Sequence, residues 1–447
     1  MSASSDSGLN DDSIIGSDAG SDDGSVAESE IDPIVFGHLA TIPDSSIIAL
    51  ASRIARDVLY ASTGNITLAK RVCGSYNIVH IVQLETFKLV IRVPASGWGA
   101  GMTKIAADAL ESQVATMSFV RQQTGVPIPE VYSWDTTNNN EISAPFICMS
   151  FLPGENVSNV WFEDSSGVEA REELRLNILT SLSATMAKFS SMSFEKIGSI
   201  MQAENGKAVL GPVFGWEDND DGSVRVEATR TYFSAVEYLA CNMEAKAKEN
   251  GLDRALTKLT KTLLQHSAFL DSDSDSHFVL CPPDFDSQNV LVDDKGNVTG
   301  IIDWDHCQTV PPRLGYAAYP GWLTRDWDPI MYGWPDITDF EDSPDALQRY
   351  RSHYNKELGK ALSWKGDWEL TENSHVNEAI WIAALSPMNR LEICRKFVGL
   401  ALRLDKEDVL DILWEIGEGV YGQEEWDALE DKLKEMVSQS TTLQHTL

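Results

Sequence analysis

Cysteine is scarce in this 447-residue chain, and none of the six cysteines stand as a Cys-x-x-Cys pair. That excludes a secreted disulfide framework and a thiolate metal clip as organising devices, and buried free thiols in a reducing compartment are expected. No apolar run approaches the roughly 20 residues that a bilayer-spanning helix needs. The N-terminus lacks a basic start followed by an apolar stretch, so no signal peptide is read and a cytoplasmic location is expected. Basic charge is also short: 35 Lys and Arg face 68 Asp and Glu, a formal charge of −33. Such a surface repels phosphate backbones and anionic headgroups, so neither nucleic acid nor a membrane is an expected partner. It would suit a cationic ligand where the acids lie near a site.

Residues 1–32 hold nine acidic residues and no basic one, among Ser and Gly. A segment this polar cannot bury enough apolar surface to offset its ordering entropy, so residues 1–33 read as a disordered acidic tail. Globular patterning begins at Ile34. Asp44-Ser45-Ser46 precedes a helical run to Leu59. Short strands follow at Ala69–Cys73, Asn77–Gln83 and Lys88–Val93, then a helix over Thr103–Gln122 and a strand at Ala144–Met149. Past Gly154 the spacing is mainly helical, interrupted by extended runs at His277–Cys281, Val290–Val292 and Val298–Ile302. Acidic stretches at 216–221 and 271–275 read as loops. After Asp345–Leu362, two or three further helices are expected to about residue 437. A β-rich front and a helical back, divided near Pro153-Gly154, imply two lobes with a cleft, residues 34–150 and 151–447.

The chemistry concentrates in Pro282-Pro283-Asp284-Phe285-Asp286-Ser287-Gln288-Asn289, which leads into an apolar strand, and in Ile301-Ile302-Asp303-Trp304-Asp305 after the next strand. Phosphoryl transfer needs little covalent help. It needs a carboxylate to orient or deprotonate the attacking hydroxyl, and hard oxygen ligands for Mg²⁺. Asp284 can be the base; Asn289 and Asp303 can hold the metal.

These motifs resemble those of the aminoglycoside phosphotransferase and choline kinase family, relatives of protein kinases. The likeness covers roughly residues 40–400. With Tyr319-Pro320-Gly321-Trp322-Leu323, it resembles a fungal branch of that family most. The resemblance implies an α+β, protein-kinase-like fold with a small β-rich N-lobe and a larger helical C-lobe. It implies ATP and Mg²⁺ as cofactors and a small hydroxylated molecule as acceptor. Gly74 and Ser75 would form the turn over the nucleotide, Arg92 would take the place of the phosphate-binding Lys, and Met149 would lie in the connector that meets the adenine.

Two positions depart from the family pattern. Pro282 stands where a bracing His is usual, and Gln113 stands where a helix Glu would pair with the strand cation. A neutral Gln can accept a hydrogen bond from Arg92 but gives no ion pair. The alternative these departures motivate is a catalytically degenerate kinase fold that binds nucleotide or serves as a scaffold. Trp322, Trp327 and Trp334 read as core packing, and His306-Cys307 as structural.

Overall fold

The computed structural model describes residues 31–438, except 164–166, 204, 220, 245–249, 268, 270–276 and 338–339. The acidic tail and the 271–275 stretch therefore lie outside the described residues, apart from Ile31, Asp32 and Pro33 of the former. A five-stranded antiparallel sheet forms the front, in the order β1-β2-β3-β5-β4. Its strands are β1 (Thr67–Cys73), β2 (Asn77–Gln83), β3 (Lys88–Pro94), β4 (Val131–Asp135) and β5 (Phe146–Ser150). The expected strands are present. The sheet also contains β4, whose partial exposure and register shift leave little apolar pattern to read in the sequence.

The two-residue strand period decides which side chains reach the cleft. On β3, Leu89, Ile91 and Val93 enter a core with Ile47, Leu50 and Ile54 of the helix Asp44–Asp57. Val90 and Arg92 therefore face the other way. On β5, Phe146 and Cys148 join that same core, whereas Ile147 and Met149 enter a second one. This second core includes Val290, Ile301 and Trp304 of the motif strands, and Leu110, Val114 and Met117 of the helix Lys104–Thr124. That helix, here the cleft helix, starts at Thr103, whose hydroxyl caps the Ala106 N–H, and ends at Gly125 in the left-handed region.

The back is mainly helical, and besides the expected extended runs it holds strands that the sequence reading does not name. Two β-hairpins, Ser199–Gln202 with Ala208–Gly211 and Phe214–Asp218 with Val224–Ala228, stand between the helices Val168–Met186 and Ala235–Glu244. Residues 216–218 are thus strand, a correction whose cause is the shortness and polarity of these strands. Four helices, rather than two or three, follow Pro344–Ala361: Ser374–Leu385, Pro387–Leu402, Lys406–Glu418 and Gln423–Ser438. They pack with Gly251–His266 into a third core containing Leu259, Ile380, Phe397, Leu413 and Leu429. All six cysteines are free; three are buried, but Cys241 is exposed. Among the described residues no single helix is long and apolar enough to cross a membrane.

Candidate active site

The loop from Pro282 to Asn289 joins a buried two-residue strand, Val279–Leu280, to the strand Val290–Val292. Its backbone turns sharply at Asp284, which sits at φ +44°, and Asp303 sits at φ +60°. Left-handed backbone at a non-glycine residue is costly and concentrates at functional sites, where surrounding contacts enforce it. Here Asn289 Nδ2 donates to both the backbone oxygen and Oδ2 of Asp284 at 2.9 Å. Gln288 Nε2 also donates to Oδ2 at 2.9 Å. Asp284 Oδ2 is therefore fixed by two donors, and Oδ1 is the oxygen left for other chemistry.

The absent His is replaced by other braces. Gly321 N–H donates to Phe285 O at 2.7 Å, and Arg325 Nη2 donates to Asp286 Oδ2 at 2.6 Å. Gly321 approaches so closely that a Cβ there would stand 3.1 Å from the Asp286 carboxylate. The Tyr-Pro-Gly-Trp segment thus clamps the loop from outside. Asp286 and Arg325 are site residues to which the sequence motifs alone assign no role.

Across the cleft, Arg92 meets the second motif directly. Its Nη1 donates to Asp305 Oδ1 at 2.7 Å, and Nη2 to Asp303 Oδ1 at 2.7 Å and Asp305 Oδ2 at 2.9 Å. Asn77 Nδ2 adds a bond to Asp305 Oδ2 at 2.8 Å. Burial disfavours the Arg92 charge, but Asp305 and Asp303 more than compensate and raise its pKa above the ordinary value. Gln113 is buried and lines the same small cavity of about 30 Å³ beside Arg92, yet no hydrogen bond joins the two. The carboxylates come from the Ile-Asp-Trp-Asp segment instead. Ile147 lines this cavity and Met149 does not; Gly74 and Ser75 are exposed at the β1–β2 turn, closed by Gly74 N–H to Asn77 O at 2.9 Å.

Oxygen atoms suited to a hard cation remain at the two proposed ligand positions. Asn289 uses Nδ2 on Asp284, which leaves Oδ1. Asp303 uses Oδ1 on Arg92, which leaves Oδ2. Ile302 N–H donates to Asn289 O at 2.9 Å, so the two segments run side by side. The donor set is all oxygen, as Mg²⁺ requires.

On the far side of Asp284 opens a cavity of about 490 Å³. Asp284, Asp286, Asp328 and Glu378 line it, with Arg325 and the rings of Tyr319, Trp327 and Trp381. Trp322 packs in the core, 5.9 Å from Trp161, and Trp327 packs 5.2 Å from Phe397 of the C-terminal helices, as expected, while also bordering the cavity; Trp334, expected in the core, is exposed. Glu378 lies in the helix Ser374–Leu385, to which the sequence motifs assign no role. Burial, aided by Asp286 and Asp328, raises its pKa to about 7 against the Thr324 hydroxyl and Arg325. Buried His375 is pushed down to about 3 by burial and Arg351, so its ring stays neutral.

An antiparallel front sheet over a helical back, with an Asp-x4-Asn loop and an Asp-bearing hairpin facing a strand Arg, defines a phosphotransferase of the kinase-like fold. Residues 89–314 match the profile of the "phosphotransferase enzyme family", and the chain belongs to that family. Its relatives include fungal proteins. The clavilactone A biosynthesis cluster protein Y of Ampulloclitocybe clavipes is 27% identical over 227 residues, 48% of this chain and 54% of that one. "Altered inheritance of mitochondria protein 9, mitochondrial" of Clavispora lusitaniae is 22% identical over 364 residues, 70% of this chain and 58% of that one. The chain thus spans little more than half the length of these curated relatives. Among solved structures, aminoglycoside phosphotransferase APH(4)-Ia aligns at TM-score 0.44 and 11% identity, covering 87% of this chain and 99% of that one.

Proposed function

We propose that this chain is an ATP-dependent small-molecule kinase that moves a γ-phosphoryl group to a hydroxyl in the 490 Å³ cavity. The observation that carries this is the position of Asp284, fixed at Oδ2 by Gln288 and Asn289 on the rim of that cavity. ATP supplies the phosphoryl group, and Mg²⁺ neutralises its charge when bound. Asn289 and Asp303 would hold the metal through their remaining oxygens. Arg92, held by Asp303 and Asp305, would present guanidinium edges to phosphate oxygens, a task its planar fork suits. The turn at Gly74 and Ser75 and the connector at Met149 would border the nucleotide. Residues 34–150 would then form the nucleotide lobe and 151–447 the catalytic and acceptor lobe. Asp284 would orient the acceptor hydroxyl and take its proton at Oδ1.

Acids outnumber the cations in the acceptor cavity, and Arg325 is already committed to Asp286. That balance supports an acceptor carrying a protonated amine as well as its hydroxyl. The degenerate alternative rests on Gln113 and Pro282. The braces from Gly321 and Arg325, and the carboxylates on Arg92, weigh against it. The test is a screen of amino alcohols, amino sugars and neutral polyols with Mg²⁺-ATP, reading phosphorylated products by mass. Asp284→Asn should lower turnover by about 10²–10⁴-fold, the usual contribution of a general base. Turnover undiminished in Asp284→Asn would remove Asp284 from the mechanism.

A further inference from the structure

The two hairpins after Ser199 are rooted in the back of the molecule and pack onto its front. At the root, Gly198 N–H donates to Thr309 Oγ1 at 3.0 Å, and Ser199 bridges to Gln308, just past the Ile-Asp-Trp-Asp segment. At the other end, Ser112 Oγ on the cleft helix donates to Ile200 O at 2.8 Å in a buried bond. Ala109 of the same helix forms an apolar cluster with Phe214 and Val226, flanked by Met201 and Trp216. Val224 joins the front core, and its carbonyl comes within 3.1 Å of where a Cβ on Gly101 would stand. Trp216 stacks on Tyr76 of the β1–β2 turn, with centroids 4.8 Å apart and planes 7° apart, and lies 4.6 Å from His306.

In this chain the cleft helix has no ionic tie to Arg92. Gln113 is neutral and unbonded to it, so nothing along that line fixes the helix relative to the strand cation. The hairpins supply the fixing from outside, through one buried hydrogen bond, an apolar cluster and a ring stack. We propose that the two hairpins are a strap that positions the cleft helix and the Gly74–Asn77 turn over the Arg92, Asp303 and Asp305 cluster, with Trp216 as its positioning residue. The strap does the work of the missing ion pair. It ties the turn on one side and the segment after Asp305 on the other, so it sets how far apart those two parts can stand.

The experiment compares the full chain with Trp216→Ala, Trp216→Phe and Ser112→Ala. Amide hydrogen exchange over 104–124 should quicken at least tenfold in Trp216→Ala, less in Ser112→Ala, and stay within twofold in Trp216→Phe, which keeps a stacking ring. Exchange in the helices 374–438 should not change. Calorimetry with Mg²⁺-ATP rests on the kinase reading; there, Trp216→Ala should weaken binding about tenfold and Trp216→Phe no more than twofold. If Trp216→Ala does not fold, Ser112→Ala carries the exchange test alone. Exchange over 104–124 within twofold of the natural chain in the folded variants would overturn the strap. A natural chain that binds no ATP would refute the kinase reading, while the exchange rates would still decide for or against the strap.

Discussion

On one side of Asp284, Arg92, Asp303, Asp305 and Asn77 satisfy one another through four bonds of 2.7–2.9 Å, around a cavity of only about 30 Å³. On the other side, the 490 Å³ cavity is lined by four acids, Asp284, Asp286, Asp328 and Glu378, and by one arginine, Arg325, which is already bonded to Asp286. The first region is a closed electrostatic unit whose geometry is preset before any ligand arrives. The second carries carboxylates that its one arginine does not balance, and an unbalanced charge away from water is costly. Preset charges suit a ligand that never varies, such as a nucleotide. Unbalanced carboxylates suit a ligand that brings its own positive charge. The two halves of this site should therefore respond oppositely to losing a charge.

The largest expected effect falls on the closed side. Arg92→Ala leaves Asp303 and Asp305 facing each other without their cation. Breaking a buried pair by removing one partner costs about 3–5 kcal/mol. Asp303 is 40% exposed, so the lower end applies. Urea unfolding should show that loss, and Mg²⁺-ATP affinity should fall at least tenfold. Asp303→Ala should be milder in stability, because Arg92 keeps both bonds to Asp305, yet lose Mg²⁺-ATP affinity as strongly. Equal affinity in Asp303→Ala and the natural chain would take Asp303 out of the metal site.

The parts of this comparison are unequally legible in the sequence. Asp284, Asn289 and Asp303 stand out because their spacing is local and their neighbours are strand-forming. Arg92 follows from the resemblance alone. Its partnership with Asp305 does not, because the two lie far apart in the chain and only the closed cleft brings them together. The strap is hidden because its strands have only four or five residues, too few for a clear alternating pattern, and Gly and Asp close two of them as they would close loops. Glu378 is hidden in a helix of mean apolar character, where only tertiary packing shows that its carboxylate lines a cavity.

On the open side, the expected effect of losing a charge is a gain. Glu378 has a folded value of about 7, above its ordinary 4.5, because of burial and its neighbours Asp286 and Asp328. Thr324 and Arg325 oppose that shift, and Cys281 faces it too. A carboxyl raised in the folded state binds more protons there than in the unfolded chain. Its contribution is therefore fully present below about pH 4.5 and is lost as pH rises through about 7. Thermal unfolding of Glu378→Gln should match the natural chain below about pH 4.5 and exceed it at pH 8, with a flatter slope between. A saturating amine acceptor should narrow that gap by pairing with the ionised Glu378. Parallel pH profiles in the two proteins would show that Glu378 ionises as freely folded as unfolded.

The smallest expected effect is at Gln113, and it decides between enzyme and degenerate fold. If the cation on β3 lacked a holder, Gln113→Glu would supply one and raise activity. Arg92 already gives three hydrogen bonds to two carboxylates, so the new Glu would find its partner engaged. It would also stand in a buried position whose lining includes Asp305, and a third carboxylate there meets repulsion as well as desolvation. His306 offers little relief, because burial lowers its pKa and keeps the ring neutral. The balance predicts turnover and Mg²⁺-ATP affinity within about twofold of the natural chain, with a modest fall in melting temperature from the added buried acid. Calorimetry and product mass on the same preparations measure both. A rise in turnover of tenfold or more would mean that Asp303 and Asp305 do not hold Arg92 where phosphate needs it. The paired cluster would then be a resting arrangement of a fold that has lost part of its machinery, and the strap could not be the substitute for the ion pair.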